Sequence, residues 1–140
     1  MQKIEEGRDE NLLILYTIYI LMKRYHFSLG PNTLMKFLTG KILSPFKNHH
    51  LYIIPTFGSL INYEDDVVLA YINQLQNGSF LKKRTLRNYY NRKVLIITEK
   101  GKKTLVNNQK YVVHAADNYF SFHSAALHIK GERYLGFPSE

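Results

Sequence analysis

Arg84, Arg87, Arg92 and Lys93 flank two adjacent tyrosines, Tyr89 and Tyr90, within the stretch KKRTLRNYYNRKVLIITEKGKKT at residues 82–104. That stretch holds nine of the chain's 19 basic residues and a single acid, Glu99. Crowding like charges works against a compact fold through self-repulsion, so the segment is expected to meet something anionic. Cations that neutralise phosphates release condensed counterions, and arginine can grip a phosphate through two parallel hydrogen bonds. An exposed aromatic ring adds base stacking, worth ~1–3 kcal/mol per base on single strands. A base step costs a few kcal/mol to unstack. The two magnitudes nearly cancel, so a tyrosine tip suits capture of a frayed duplex end better than melting of internal duplex. Strand alternation turns one of two adjacent tyrosines outward and the other back toward the strand face. The plain alternative is a solvated hairpin whose charges only keep the protein in solution.

The other reactive residue types fall into no catalytic or ligating pattern. With no cysteine in the chain, disulfides, zinc–thiolate sites, iron–sulfur clusters and cysteine nucleophiles are excluded. His49 and His50 are adjacent and project differently in regular structure. His123 and His128 have no carboxylate between them, and His114 is remote. None of these forms an HExxH motif or a facial triad, and GxSxG is absent. Glu64, Asp65 and Asp66 suit a helix start, where carboxylates meet the positive end of the dipole. The expectation is a protein that is no enzyme and that uses neither metal nor cofactor.

The chain of 140 residues fits one domain with a real core. Its 45% hydrophobic and 14% aromatic content separates it from disordered sequences. A net charge of +8 and a pI of about 9.6 favour an anionic partner. Residues 82–103 alone sum to +8 (nine basic, one acidic). The start, MQKIEEGRDEN, is acidic where a secretory signal is basic. Residues 12–22 are apolar except for Thr17, about half of a membrane span of ~20 residues. The pattern therefore predicts a buried helix and no membrane association. The expected location is the cytoplasm, at the nucleoid if the source is bacterial.

These residues need elements to position them. Asn11 is expected to cap a central helix over residues 12–25. Gly30-Pro31 opens a second helix that buries Leu34, Phe37 and Leu38 and ends at Gly40. Residues 41–62, broken by Pro45, Pro55 and Gly58, read as an irregular connection with an apolar, buried interior. A third helix begins near Tyr63, with Glu64, Asp65 and Asp66 in its first turn. Val67, Val68, Tyr71, Ile72 and Leu75 follow at helical spacing, and Asn77-Gly78 closes it. Strands at 80–86 and 92–98 are joined by RNYYN, with Val94–Ile97 docked inward and the polar members of Lys82–Thr85 outward. Thr98 caps a short last helix to residue 106. The predicted class is α+β: a winged helix, a helix-turn-helix variant with a β-hairpin wing. The winged-helix unit covers residues 1–106. Residues 107–140 form a C-terminal extension packed on the same domain, with strands at 119–123 and 126–129 and a further segment at 134–137. It covers the sheet, or serves as a dimerisation arm or a protein-docking surface.

The order ILMKRYHFSLGPNTLMKFLTG, TFGSL, AYINQLQNGSFL and VLIITEKGKKTL resembles the RQC domain, the winged-helix module near the C-terminus of RecQ helicases. The resemblance spans residues 12–106. It is carried by Phe37-Leu38-Thr39-Gly40, by Phe57-Gly58, by Gln74-Leu75 through Gly78 and Phe80-Leu81, and by Ile97-Thr98 with Gly101. It implies a winged helix that binds duplex DNA at branch points and ends. In helicase members the hairpin can pry the terminal base pair apart with an aromatic tip, at or beside which Tyr89 and Tyr90 fall. The family often has Leu-Arg-Gly-Ser after the second helix, its arginine and serine holding phosphates. Here Leu38-Thr39-Gly40-Lys41 stands instead, leaving Thr39 to donate a hydrogen bond and Lys41 to supply charge. No GxxxxGK[ST] loop, motor core or zinc-binding cysteines occur, so the resemblance implies a small stand-alone DNA-binding protein of replication or repair.

Within that frame the third helix is a poor groove reader. Its acidic start repels phosphate, and Asn73, Gln74 and Gln76 are its only polar candidates for base edges. The wing is therefore expected to dominate. Lys100, with Lys102 and Lys103, either extends the basic face or forms a solvated surface. The expected DNA-contacting set is Thr39, Lys41, Arg84, Arg87, Tyr89, Tyr90, Arg92, Lys93 and Lys100. Two other readings are a protein-interaction module of a replication or repair assembly and a dimeric transcription regulator.

Overall fold

The computed structural model describes residues 7–87 and 91–109, apart from the side chain of Tyr52. Expectations that rest on Tyr89, on Tyr90 and on the strands of the C-terminal extension lie outside the described residues.

Helix α1, Arg8–Tyr25, is the element on which the others assemble. It has no polar stripe: every residue from position 11 to 21 is buried, so it must be covered on all sides. Thr17 is tolerated because its Oγ1 donates to the Leu13 carbonyl at 2.8 Å. Burial raises the Tyr19 phenol above its ordinary value, and the Arg24 charge offsets part of that rise. Asn11 does not cap this helix. The first turn begins at Arg8, and Asn11 lies inside it, its N–H donating to the Gly7 carbonyl at 2.9 Å. Gly7 is left-handed, with φ of 82°, and a Cβ there would sit 2.7 Å from the Tyr71 ring. The neighbouring helix thus sets this start.

Helix α2, Pro31–Leu38, opens with proline in its first turn and buries Leu34, Met35, Phe37 and Leu38. The connection that follows is more ordered than its prolines and glycine predict. It contains α3, Ser44–Asn48, and a 3-10 turn, Leu51–Ile53. Pro45 lies in the first turn of α3, where proline's missing N–H costs nothing. Phe37, Phe46 and Phe57 meet edge to face at 5.2–6.2 Å between ring centroids. The Phe37 and Leu38 carbonyls accept from Gly58 and Leu60 N–H at 3.0 and 2.8 Å. The expected apolar interior is present in this segment: Phe46, Leu51, Ile54 and Leu60 are all buried.

Helix α4, Asp65–Asn77, packs on α2 and α1 through Val68, Ile72 and Leu75. Glu64 is its N-cap residue rather than a member of its first turn. Val67 departs from the predicted apolar stripe and is exposed, because Val68, Ile72 and Leu75 already complete a face at helical spacing.

Strands β1, Leu81–Leu86, and β2, Arg92–Ile97, pair antiparallel with Leu81 opposite Ile97 and Leu86 opposite Arg92. Helix α5, Glu99–Asn107, closes the described fold. Thr98 caps it as predicted, its Oγ1 accepting from Gly101 N–H at 3.1 Å. The same hydroxyl donates to the Ser79 carbonyl at 2.7 Å, tying the helix start to the entry of β1. Gly101 is required by space: a Cβ would lie 2.5 Å from the Phe80 carbonyl oxygen. The architecture is α+β, with five α-helices and one two-stranded antiparallel sheet among the described residues.

Candidate nucleic-acid interface

The hairpin has an inner and an outer strand, and that asymmetry positions its charges. β2 is inner. Its Leu95 N–H donates to the Leu29 carbonyl at 2.8 Å, and Val94, Leu95 and Ile97 are buried. Gly30 lets the chain pass close to β2, since a Cβ there would sit 2.9 Å from the Lys93 carbonyl oxygen. β1 is outer, with Lys82, Lys83, Arg84 and Thr85 all exposed.

Directly opposed residues of an antiparallel pair share a face, and successive residues alternate. Lys82, Arg84 and Arg92 therefore share one face with Val94 and Ile96, while Lys83 and Lys93 share the other with Leu95 and Ile97. Positive charge stands on both faces of the finger. Arg87 lies just beyond β1 and is also exposed. Arg92 reaches the Ser28 carbonyl with Nη2 at 3.5 Å, a long contact that uses one of its five N–H donors. Asn91, at the return into β2, takes a left-handed φ of 55°, a conformation asparagine tolerates better than most residues.

Among the described residues no carboxylate lies within ion-pair distance of Lys82, Lys83, Arg84, Arg87, Arg92 or Lys93. Unpaired lysines on an outer strand also hinder edge-to-edge aggregation. That role explains Lys82 and Lys83 but not cations on both faces and at the return.

The remaining candidates occupy different surroundings. Thr39 is buried at the end of α2, and its Oγ1 donates to the Met35 carbonyl at 2.9 Å. Lys41 Nζ donates to Thr39 Oγ1 at 3.1 Å and to Asp65 Oδ1 at 3.3 Å. Lys100 Nζ donates to the Gly78 carbonyl at 2.7 Å and stands 4.4 Å from the centroid of the Phe80 ring. It thereby caps the end of α4, and sequence reasoning did not find this role. Lys102 pairs with Glu99 at 3.5 Å. On α4, Gln76 Nε2 donates to Asn73 Oδ1 at 3.3 Å, so two of the three polar candidates there engage each other. The structure thus brings Arg84, Arg87, Arg92 and Lys93 together on one element and sets Thr39, Lys41 and Lys100 apart, each in contacts internal to the fold.

Helices α2 and α4 pack on each other and are followed by a hairpin and a closing helix, the order expected of a winged helix. The chain matches the family model of the RQC domain over residues 2–118, most of its length, and belongs to the RQC domain family. It is accordingly a DNA-binding winged-helix module of RecQ type; the domain is not itself catalytic, and repair and replication fit its context. Comparison with curated proteins and with solved structures returned no match. Among the described residues no helix is long and apolar enough to cross a membrane.

Proposed function

We propose that this protein is a non-enzymatic DNA-binding protein that holds duplex ends or junctions through its hairpin, used as a wing. One observation carries the reading: six exposed cations on a single hairpin, facing both ways, with no carboxylate partner among the described residues. Arg84, Arg87, Arg92 and Lys93 neutralise phosphates of a duplex. Tyr89 and Tyr90, in the return between the strands, supply a ring that stacks on the outermost base. Thr39, Lys41 and Lys100 stay outside the phosphate contacts in this reading, because each is already engaged within the fold.

A finger with charge on both faces suits a site where two backbones diverge, as at a fork or an end. A flat cationic patch would serve internal duplex equally well. Gel shifts at low salt with blunt duplex, forked duplex, single strand and covalently closed circular duplex test this. The expected order is forked and blunt above the closed circle and the single strand. Equal affinity for all four substrates would overturn the reading.

A further inference from the structure

The turn after α2 holds a cation that the fold keeps occupied. Lys41 follows Gly40, whose φ of 84° turns the chain out of the helix, and Gly40 packs against Gly58, itself left-handed with φ of 71°. The Phe37 and Leu38 carbonyls fasten this turn to residues 58 and 60, so the backbone that carries Lys41 is well fixed. From it the side chain reaches across to the start of α4 and donates to Asp65 Oδ1 at 3.3 Å. Its second bond goes to Thr39 Oγ1, which passes its own hydrogen to the Met35 carbonyl. The ammonium thus donates two ways, through the Thr39 hydroxyl to the Met35 carbonyl and directly to the Asp65 carboxylate. The pair is about half exposed, 45% for Lys41 and 51% for Asp65, so a ligand phosphate can reach the ammonium only in competition with that carboxylate.

We propose that Asp65 is a specificity-determining residue: by holding Lys41 it denies DNA phosphate a contact on the helix-turn-helix face and confines binding to the hairpin. The inference rests on the DNA-binding reading above. It adds an active restraint to it. Glu64 and Asp66, exposed beside Asp65 and in no ion pair among the described residues, reinforce the restraint by repelling phosphate. A protein restrained in this way discriminates against internal duplex, which offers phosphates to a broad face, and keeps its affinity for ends that a finger can reach.

The test uses the full chain with Asp65→Asn, Lys41→Ala and the double variant, on closed circular duplex and on forked duplex across a salt series. Asp65→Asn frees Lys41 for one additional phosphate contact. The log–log salt slope on the closed circle should then steepen by about 0.9, and the variant's advantage over wild type should shrink about three- to fourfold between 50 and 200 mM salt. Lys41→Ala alone should leave both substrates nearly unchanged, and in the double variant the gain should vanish. A gain that survives in the double variant overturns the proposal, because Asp65 then acts by simple repulsion. Unchanged slope and affinity in Asp65→Asn, with wild type still binding forks, overturn it while leaving the hairpin reading intact. Failure of wild type and variants to bind any of the DNAs overturns both.

Discussion

The hairpin and the turn after α2 both present cations toward solvent, yet the fold treats them in opposite ways. On β1, β2 and the residue beyond β1, six basic side chains stand with no acid in ion-pair reach among the described residues. At the turn, Lys41 is matched by Asp65 and bonded to Thr39. Charge count alone would rank both as phosphate contacts. The difference lies in where the acids fall. Three consecutive carboxylates open α4, where the helix dipole favours them, and from there one reaches the turn. None among the described residues reaches the hairpin. Among the described residues, then, the hairpin's cations are without an acidic partner and the turn's lysine has one.

The comparison breaks most completely if the hairpin loses its seat. Leu95 is fully buried on the inner strand and its N–H bonds to Leu29, so Leu95→Ala should lower stability by about 2–5 kcal/mol. Thermal or urea unfolding followed by circular dichroism checks this, and DNA binding should weaken with it. Next in size is the tip. Replacing Tyr89 and Tyr90 by alanine removes stacking worth about 1–3 kcal/mol per base. The preference for ends over closed circles should then fall while the salt slope stays in place, as fluorescence anisotropy on matched substrates would show.

The smaller effect sharpens the contrast from the other side. Lys100→Ala removes a helix-end bond and a cation–π contact at Phe80, and should cost about 0.5–1.5 kcal/mol of stability. Its salt slope on duplex should stay close to that of wild type. A slope reduced by a full contact's worth would move Lys100 into the DNA-binding set.

Much of this architecture was legible in the sequence. The helix at Pro31 and the strand pairing are local matters: proline at a helix start and apolar alternation on one strand. The Thr98 cap is equally local. What escaped was set by distant partners. The first helix starts at Arg8 because Gly7 packs on Tyr71, some sixty residues away in the chain. The short α3 has only five residues, too few to show a period, and its Pro45 reads as a breaker when it is in fact at the start. Within the site, the hairpin's charge was visible as a run. The restraint on Lys41 was not, because Asp65 lies 24 positions further on. The same holds for Lys100, whose partner carbonyl belongs to Gly78 at the end of another helix.

The central claim is that free cations on the hairpin, and not the net charge of the chain, meet the DNA backbone. Its most direct test is the log–log salt slope for forked duplex, measured for wild type and for a variant with Arg84, Arg87, Arg92 and Lys93 replaced by alanine. All four side chains are exposed, so the variant should keep its helical spectrum and unfolding midpoint. The account predicts a slope shallower by about 3 to 4, at about 0.9 per lost phosphate contact, with affinity at 150 mM salt reduced at least a hundredfold. A folded variant whose slope and affinity match those of wild type would contradict it.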